Sequence, residues 1–353
     1  TEVDFNVDDY IPSNLEIPSK NEFDLKEEHD NEKKISEACK LIKESKRPII
    51  YAGGGVKSAN KERLLVDFAK KIDTPVLNTI MGLGDIDRDD ELSLGMLGMH
   101  GSKEGNLAIS NSDLIIAIGA RFSDRVISDK EFINNAKVVQ IDVDPAEVNK
   151  NVKVDSFIIG DIKVALQRLM PLLKNKENKE WLNTVDELKL LSITKNNKDN
   201  GEELTPRFLF EKLSDMDSGD FIIATEVGQH QMWTAQYFNF KTPRTLISSG
   251  GLGTMGFGLG AAIGAKVANP DKTVFNIAGD GSFGMNCNEF ATAVKYNIPI
   301  KVIVMNNNAL GMVRQWQSLF YEARYSQTTL DRATDFVKLA EAFGGVGFRV
   351  EKR

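Results

Sequence analysis

The stretch that decides the fold is TVFNIAGDGSFGMNCNEFATAVKYNIPIKVIVMNNN, residues 273–308. Two short β-branched runs, residues 273–278 and 300–305, flank a segment of helical spacing bounded by turn residues. Strand, turn, helix and strand in that order make a βαβ unit, whose two strands run parallel. Consecutive strands of a parallel sheet end on one edge. Asp280 and the Asn306-Asn307 pair therefore emerge together at the carboxyl edge, where α/β proteins bind ligands. Asp280 offers a carboxylate, Asn307 a side-chain carbonyl, and the bend that follows, at Ala309, a main-chain carbonyl. Such an all-oxygen set suits Mg²⁺, which completes its octahedron with water and phosphate oxygens, so a diphosphate is the expected partner. Gly279 and Gly281 let the backbone approach it closely. The plain alternative is an ordinary buried βαβ unit with a polar exit loop.

Outward from this centre, the chain of 353 residues has the length of about two domains. Residues 1–30 mix Asp, Asn, Glu and Pro and read as a linker or remnant. Residues 31–174 alternate helical and strand patterns: a helix at 33–45, a strand at 49–52, a helix at 60–71, and strands at 76–78, 114–119 and 137–143. Residues 175–203 turn polar and charged, around a modest helix at 181–191, and read as an interdomain linker. Residues 204–353 form the second domain, with a strand at 221–225, the central unit, a helix at 335–343 and a last strand at 346–350. The expected fold class is α/β, two parallel-sheet domains of three layers each.

A net charge of −7 and the lack of a long basic block argue against nucleic acid as a partner. Cys39 and Cys287 make no disulfide framework, which fits a reducing cytoplasm. No apolar run approaches the length that spans a bilayer, and the acidic start is not a signal peptide.

Three further segments carry chemistry. SSGGLGTMGFGLGAAIGA, from Ser248, contains a formal GxGxxG at Gly251, Gly253 and Gly256 between a strand and a helix. By itself it reads either as a nucleotide-binding turn or as close packing of a helix start on the sheet. Val227, Gly228, Gln229 and His230 follow another strand, so their amides and imidazole share the same carboxyl edge. In the first half, Gly119, Ala120 and Arg121 follow the strand at 114–119, with Asp124 and Arg125 just beyond. There a guanidinium can pair with phosphate.

GDGS at 279–282, with Asn307 lying 27 positions after Asp280, resembles the thiamin diphosphate motif of the enzymes that decarboxylate 2-keto acids. From about Lys33 to the end, the chain closely resembles the catalytic subunit of the acetohydroxyacid (acetolactate) synthases. That resemblance implies that Val227, Gly228, Gln229, His230, Gly253, Met255, Gly279, Asp280, Gly281, Ser282 and Asn307 hold thiamin diphosphate. Met255 would keep the coenzyme bent, Gly253 would present its carbonyl to the aminopyrimidine, and Asp280, Asn307 and Ala309 would hold Mg²⁺. It implies FAD at Gly53, Gly54, Gly55, Thr79, Leu97, Gly98, Met99, His100, Gly119, Ala120, Arg121, Asp124, Arg125, Asp142 and Asp161. Ser123 departs from the family, which has an acid there. Met312 and Trp316 would line the substrate channel, Trp316 favouring the larger second substrate, although a core tryptophan reads equally well.

The family has three domains, and the pyrimidine-binding domain that carries the activating glutamate has no counterpart here, so no catalytic residue is assigned. The expected parent reaction decarboxylates pyruvate and ligates the two-carbon unit to pyruvate or 2-ketobutyrate, toward branched-chain amino acids, with the flavin structural. The chain itself is expected to be a fragment that does not catalyse alone. A homodimer or homotetramer and a regulatory small subunit are the partners implied. The rival readings are a pyruvate-oxidizing flavoenzyme, a nicotinamide-dependent dehydrogenase built on Gly251–Gly256, and a cofactor-binding module without chemistry.

Overall fold

The computed structural model describes residues 20–123, 126, 136–196, 201, 203–331 and 334–353. Its first half runs α1 (Lys20–Glu44), β1 (Pro48–Ala52), α2 (Gly54–Ala59), α3 (Glu62–Lys71), β2 (Val76–Asn78), β3 (Ser93–Met96), α4 (Lys103–Asn111), β4 (Leu114–Ile118), β5 (Lys137–Asp142), β6 (Ser156–Ile159), α5 (Ile162–Leu169) and α6 (Lys179–Asn196). The second half follows with α7 (Pro206–Met216), β7 (Phe221–Thr225), α8 (Gln229–Tyr237), β8 (Leu246–Ser248), α9 (Phe257–Ala268) and β9 (Thr273–Gly279). It ends with α10 (Asp280–Asn286), α11 (Glu289–Lys295), β10 (Ile300–Met305), α12 (Gly311–Phe320) and α13 (Phe336–Ala342).

The strands form two sheets, six in the order β3-β2-β1-β4-β5-β6 and four in the order β10-β9-β7-β8, every pair parallel. Both are covered on both faces, because successive strand residues point to opposite sides. In the first sheet Ile50 and Ile116, paired in register, face Phe68, Leu166 and Ile42 of α3, α5 and α1. Their neighbours Ile49 and Ile115 face Ile109 of α4 and Trp181 of α6. In the second sheet Ile223 and Phe275 face α7 and α8, and Ile222 and Val274 face Ala262 and Ala265 of α9. Burial on two faces makes β1 and β4 continuous apolar runs, buried at every position. The α/β class with two three-layer parallel sheets is thus the observed fold.

Local departures from the sequence pattern have local causes. Gly53–Gly55 lead directly into α2, and Asn60, left-handed at φ 56°, ends α2 and sets α3 off from it. The helix expected over 33–45 begins further back, at Lys20. Residues 346–350 form no strand, although their apolar alternation is present. A Cβ on Gly347 would lie 2.9 Å from the Cα of Val337, so this segment rests on α13 instead of pairing with β10. Within the polar stretch 175–203, α6 seats Trp181 at 2 % exposure, and its indole donates to the carbonyl of Pro48 at 2.9 Å. Both cysteines are free. Among the described residues no helix is long and apolar enough to cross a membrane.

Candidate cofactor sites

Each sheet has one place where its connections reverse direction, and ligand crevices of open α/β sheets form at the carboxyl ends of the strands there. In the second sheet this point lies between β7 and β9. The chain leaves β7 into Glu226–Gly228 and leaves β9 into Asp280, and a cleft of about 900 Å³ opens between them. The structure brings every residue expected to hold the diphosphate, the metal or the substrate channel to this one cleft: Val227–His230, Gly253, Met255, Gly279–Ser282, Asn307, Ala309, Met312 and Trp316.

Backbone geometry explains why those residue types stand there. Gly228 has φ 155°, and a Cβ on it would come within 2.7 Å of the His230 ring. A Cβ on Gly279 would come within 2.8 Å of His230 Nδ1. Two glycine backbones therefore clamp the imidazole. His230 is 5 % exposed, its Nε2 has no partner, and burial lowers its pKa to about 4, so it is neutral and its second nitrogen awaits a ligand atom. Gln231 and Thr225 both bond Ser248 at 2.7 Å, tying the ends of β7, α8 and β8 together beneath the cleft.

Opposite His230, Asp280 begins α10 at 6 % exposure, and the Ser282 hydroxyl accepts from the Gly279 amide at 3.2 Å. Beyond β10, Asn307 Oδ1 accepts the amide of Ala309 at 3.1 Å, which fixes the bend. Leu310 donates to Thr328 and Leu330 donates to Asn308, each at 2.8 Å. In an antiparallel bridge, the residue between two such bonds turns its own carbonyl away from the partner strand, and Ala309, bridged to Thr329, lines the cleft. One carboxylate, one amide oxygen and one main-chain oxygen thus fit a hard divalent cation that keeps part of its shell for phosphate. Among the described residues no cluster of three His, Cys, Asp or Glu occurs, and this donor set does not require one.

The GxGxxG turn has a different occupant. Glu226, fully buried, accepts from the amide of Gly256 at 2.6 Å and from that of Leu259 at 3.0 Å, and it also receives the amides of Phe257 and Gly258. Its carboxylate therefore takes up the free N–H groups at the start of α9, where a nucleotide pyrophosphate would have to sit. Burial raises its pKa against the opposing pull of those four donors. With its helix end closed, the turn contributes Gly253, at φ 68°, and Met255 to the cleft. Glu226 carries no sequence signal for this role beyond its place after β7. Other lining residues that the motifs did not mark include Trp233, Gln229's neighbour Gly311, Tyr321 and Arg324.

In the first sheet the reversal lies between β1 and β4. Gly53–Gly55 leave β1, Thr79 leaves β2, Leu97–His100 leave β3, Gly119–Arg121 leave β4, Asp142 ends β5 and Asp161 follows β6, so all share one carboxyl edge. Asp124 and Arg125 lie outside the described residues. Several of these residues already have structural duties. A Cβ on Gly53 would stand 2.3 Å from the Gly119 carbonyl, and one on Gly55 2.6 Å from the Gly119 Cα, so the two loops touch only because both are glycine. Thr79 caps a short turn by accepting from Gly82 at 3.1 Å, and Asp161 caps α5 through Lys163 at 2.6 Å.

The chain matches two parts of one enzyme family: "Thiamine pyrophosphate enzyme, central domain" over residues 35–169 and "Thiamine pyrophosphate enzyme, C-terminal TPP binding domain" over residues 226–353. Both matched stretches are thiamine pyrophosphate enzyme domains, and the cleft lies in the part matched by the TPP-binding domain.

Within that family the chain is similar to acetolactate synthase large subunits. It is 48 % identical over 319 residues to the "Probable acetolactate synthase large subunit" of Methanocaldococcus jannaschii, covering 88 % of this chain and 54 % of that one. Identity to the counterpart in Methanococcus aeolicus is 43 % over 368 residues, covering 99 % of this chain and 61 % of the relative. With the "Acetolactate synthase large subunit" of Lactococcus lactis it is 43 % over 340 residues, covering 94 % and 59 %. The chain therefore spans somewhat more than half the length of these relatives.

Proposed function

We propose that this chain is the cofactor-binding portion of an acetolactate synthase large subunit. The enzyme would decarboxylate pyruvate and join the two-carbon unit to a second 2-keto acid, either pyruvate or 2-ketobutyrate. The observation that carries the reading is the convergence of Asp280, Asn307, the Ala309 carbonyl and the unpartnered His230 Nε2 on one cleft at a sheet reversal.

Thiamin diphosphate, when bound, supplies the electron sink for decarboxylation. The chain's own residues do the rest. Asp280, Asn307 and the Ala309 carbonyl would hold Mg²⁺ beside the diphosphate, and His230, neutral at physiological pH with its other nitrogen donating to the Glu226 main chain, would line the diphosphate side without adding charge. Met255 hangs over the Gly281 turn, 3.9 Å from where a Cβ there would lie, and would support the coenzyme from that side. Met312 and Trp316 of α12 wall the substrate side and exclude water from it.

FAD would lie along the carboxyl edge of the first sheet, with Arg121 toward its phosphates. That sheet's 3-2-1-4-5-6 order, which suits dinucleotides, supports this placement. The division into a first unit at 31–174, a connecting stretch at 175–203 and a second unit at 204–353 belongs to the same proposal. So do pairing with a second copy, association with a regulatory small subunit and a cytoplasmic location.

The test is titration calorimetry of thiamin diphosphate into the chain with and without Mg²⁺, beside Asp280→Ala. Mg²⁺-dependent binding is expected, weakened at least tenfold in the variant. Equal affinity of the two chains, or the absence of binding by both, overturns the assignment.

A further inference from the structure

Resting on that reading, we infer that Arg324 is the residue that receives the carboxylate of the 2-oxo acid. A substrate of this class brings a permanent negative charge into the cleft, and a cation with donor geometry at the exposed rim of the cleft, where Arg324 lies, can pair with it. Among the described residues that line the cleft, Arg324 is the single Lys or Arg. The other basic group there, His230, is neutral and clamped between glycines. Arg324 lines the same cleft as Trp316 and Met312, the wall assigned to substrate.

The loop that carries Arg324 is strained and fastened. Glu322 and Ala323, neither of them glycine, are both left-handed at φ 53° and 54°. Such a pair is disfavoured for residues that carry a side chain and persists only where its surroundings hold it. Gln317 of α12 does the holding. Its carbonyl accepts from Ala323 at 3.0 Å, its side-chain amide donates to Ser326 at 3.0 Å, and its side-chain oxygen accepts from Thr328 at 3.0 Å. The next residue, Tyr325, is pinned to the outside of α12 by the Arg314 guanidinium, 3.8 Å from its ring, and by Ser318 at 3.1 Å.

Arg324 itself spends only Nε, on the carbonyl of Tyr321 at 3.3 Å. Among the described residues no hydrogen bond or ion pair engages its two Nη groups, which form the face that grips a carboxylate with two parallel bonds. Trp316 then measures the alkyl end of the substrate while Arg324 holds the acid end, so the pair separates size from charge in recognition.

The experiment compares the unaltered chain with Arg324→Gln and Arg324→Lys in calorimetric titrations of pyruvate and of methyl pyruvate, its uncharged ester. Each is run with and without thiamin diphosphate and Mg²⁺. Arg324→Gln is expected to weaken pyruvate at least tenfold, to leave the ester within about twofold, and to leave the affinity for thiamin diphosphate unchanged. Arg324→Lys should recover part of the pyruvate affinity. Equal pyruvate affinity in the unaltered chain and Arg324→Gln overturns the inference, as do equal losses for acid and ester or no pyruvate binding by the unaltered chain. Failure of thiamin diphosphate to bind, with the preference for acid over ester intact, would count against the cofactor assignment and leave Arg324 in its role.

Discussion

Asp85 shows how a single side chain escapes a motif-based reading. It stands in MGLGDID outside every motif, yet it is 2 % exposed and neither carboxylate oxygen has a partner. Burial raises its pKa from 3.8 to about 8 despite the opposing pull of Lys57. The native state therefore keeps a proton that the unfolded chain releases above 3.8, so stability is fully present below that value and declines as pH rises toward about 8. The shift sets an upper limit of about 6 kcal/mol on the loss. Asp85→Asn should match the unaltered chain near pH 4 and exceed it by about 3 kcal/mol at pH 8, read from urea midpoints. A constant difference across that range would mean that the carboxyl is ionised in the fold. That His230 and Asp280 share one cleft was legible from sequence, because each lies just after a strand of the same parallel sheet. The buried places of Glu226 and Asp85 and the position of Arg324 on the cleft wall were not, since they depend on packing and on loops that only the fold brings together.

Among the elements, α9 is tightly constrained at its start. A Cβ on Gly258 would lie 2.6 Å from Asn276 Oδ1, 2.6 Å from the amide of Glu226 and 2.7 Å from the carbonyl carbon of Thr225. Two of those atoms are backbone of the sheet and cannot move aside. Gly258→Ala should lift the start of α9 off β7 and cost about 2 kcal/mol in denaturant unfolding, with weaker thiamin diphosphate binding because Gly253 and Met255 ride on the same turn. Unchanged stability would show that the helix start yields easily. Strands with continuous β-branched runs, such as β4 and β10, were readable directly. The short β3 and β6, of four residues each, carry too little pattern to separate them from loops. Residues 346–350 carry the pattern and still form no strand, because alternation specifies a face to bury and the neighbouring hydrogen-bonding edge is a matter of tertiary packing.

At the scale of the whole molecule, two sheets do not mean two separate cores. Leu83 and Met96, from the first half, are buried in the same cluster as Phe210, Phe238 and Phe240 of the second. Across this seam Arg88 donates to the Phe240 carbonyl at 3.3 Å, and Asn239 donates to Asp89 at 2.7 Å. Scanning calorimetry should therefore give one unfolding transition whose calorimetric and van't Hoff enthalpies agree. Two resolved peaks would show that the halves come apart before they melt. The two-sheet architecture was legible from the alternation of patterns, but the seam was not, because its residues are scattered over the turn after β2, the end of β3 and the tail of α8.

One bond across that seam ties the two carboxyl edges together. Helix α8 begins with Gln229 and His230 at the cleft, and near its far end Gln236 donates to the carbonyl of His100 at 2.8 Å, in the loop that leaves β3. A molecule that orders this loop also steadies the rod whose other end presents the histidine. By linkage, whatever factor of affinity an occupant of one edge confers on the other is returned to it in full. In that sense α8 is a beam with one end seated at each carboxyl edge.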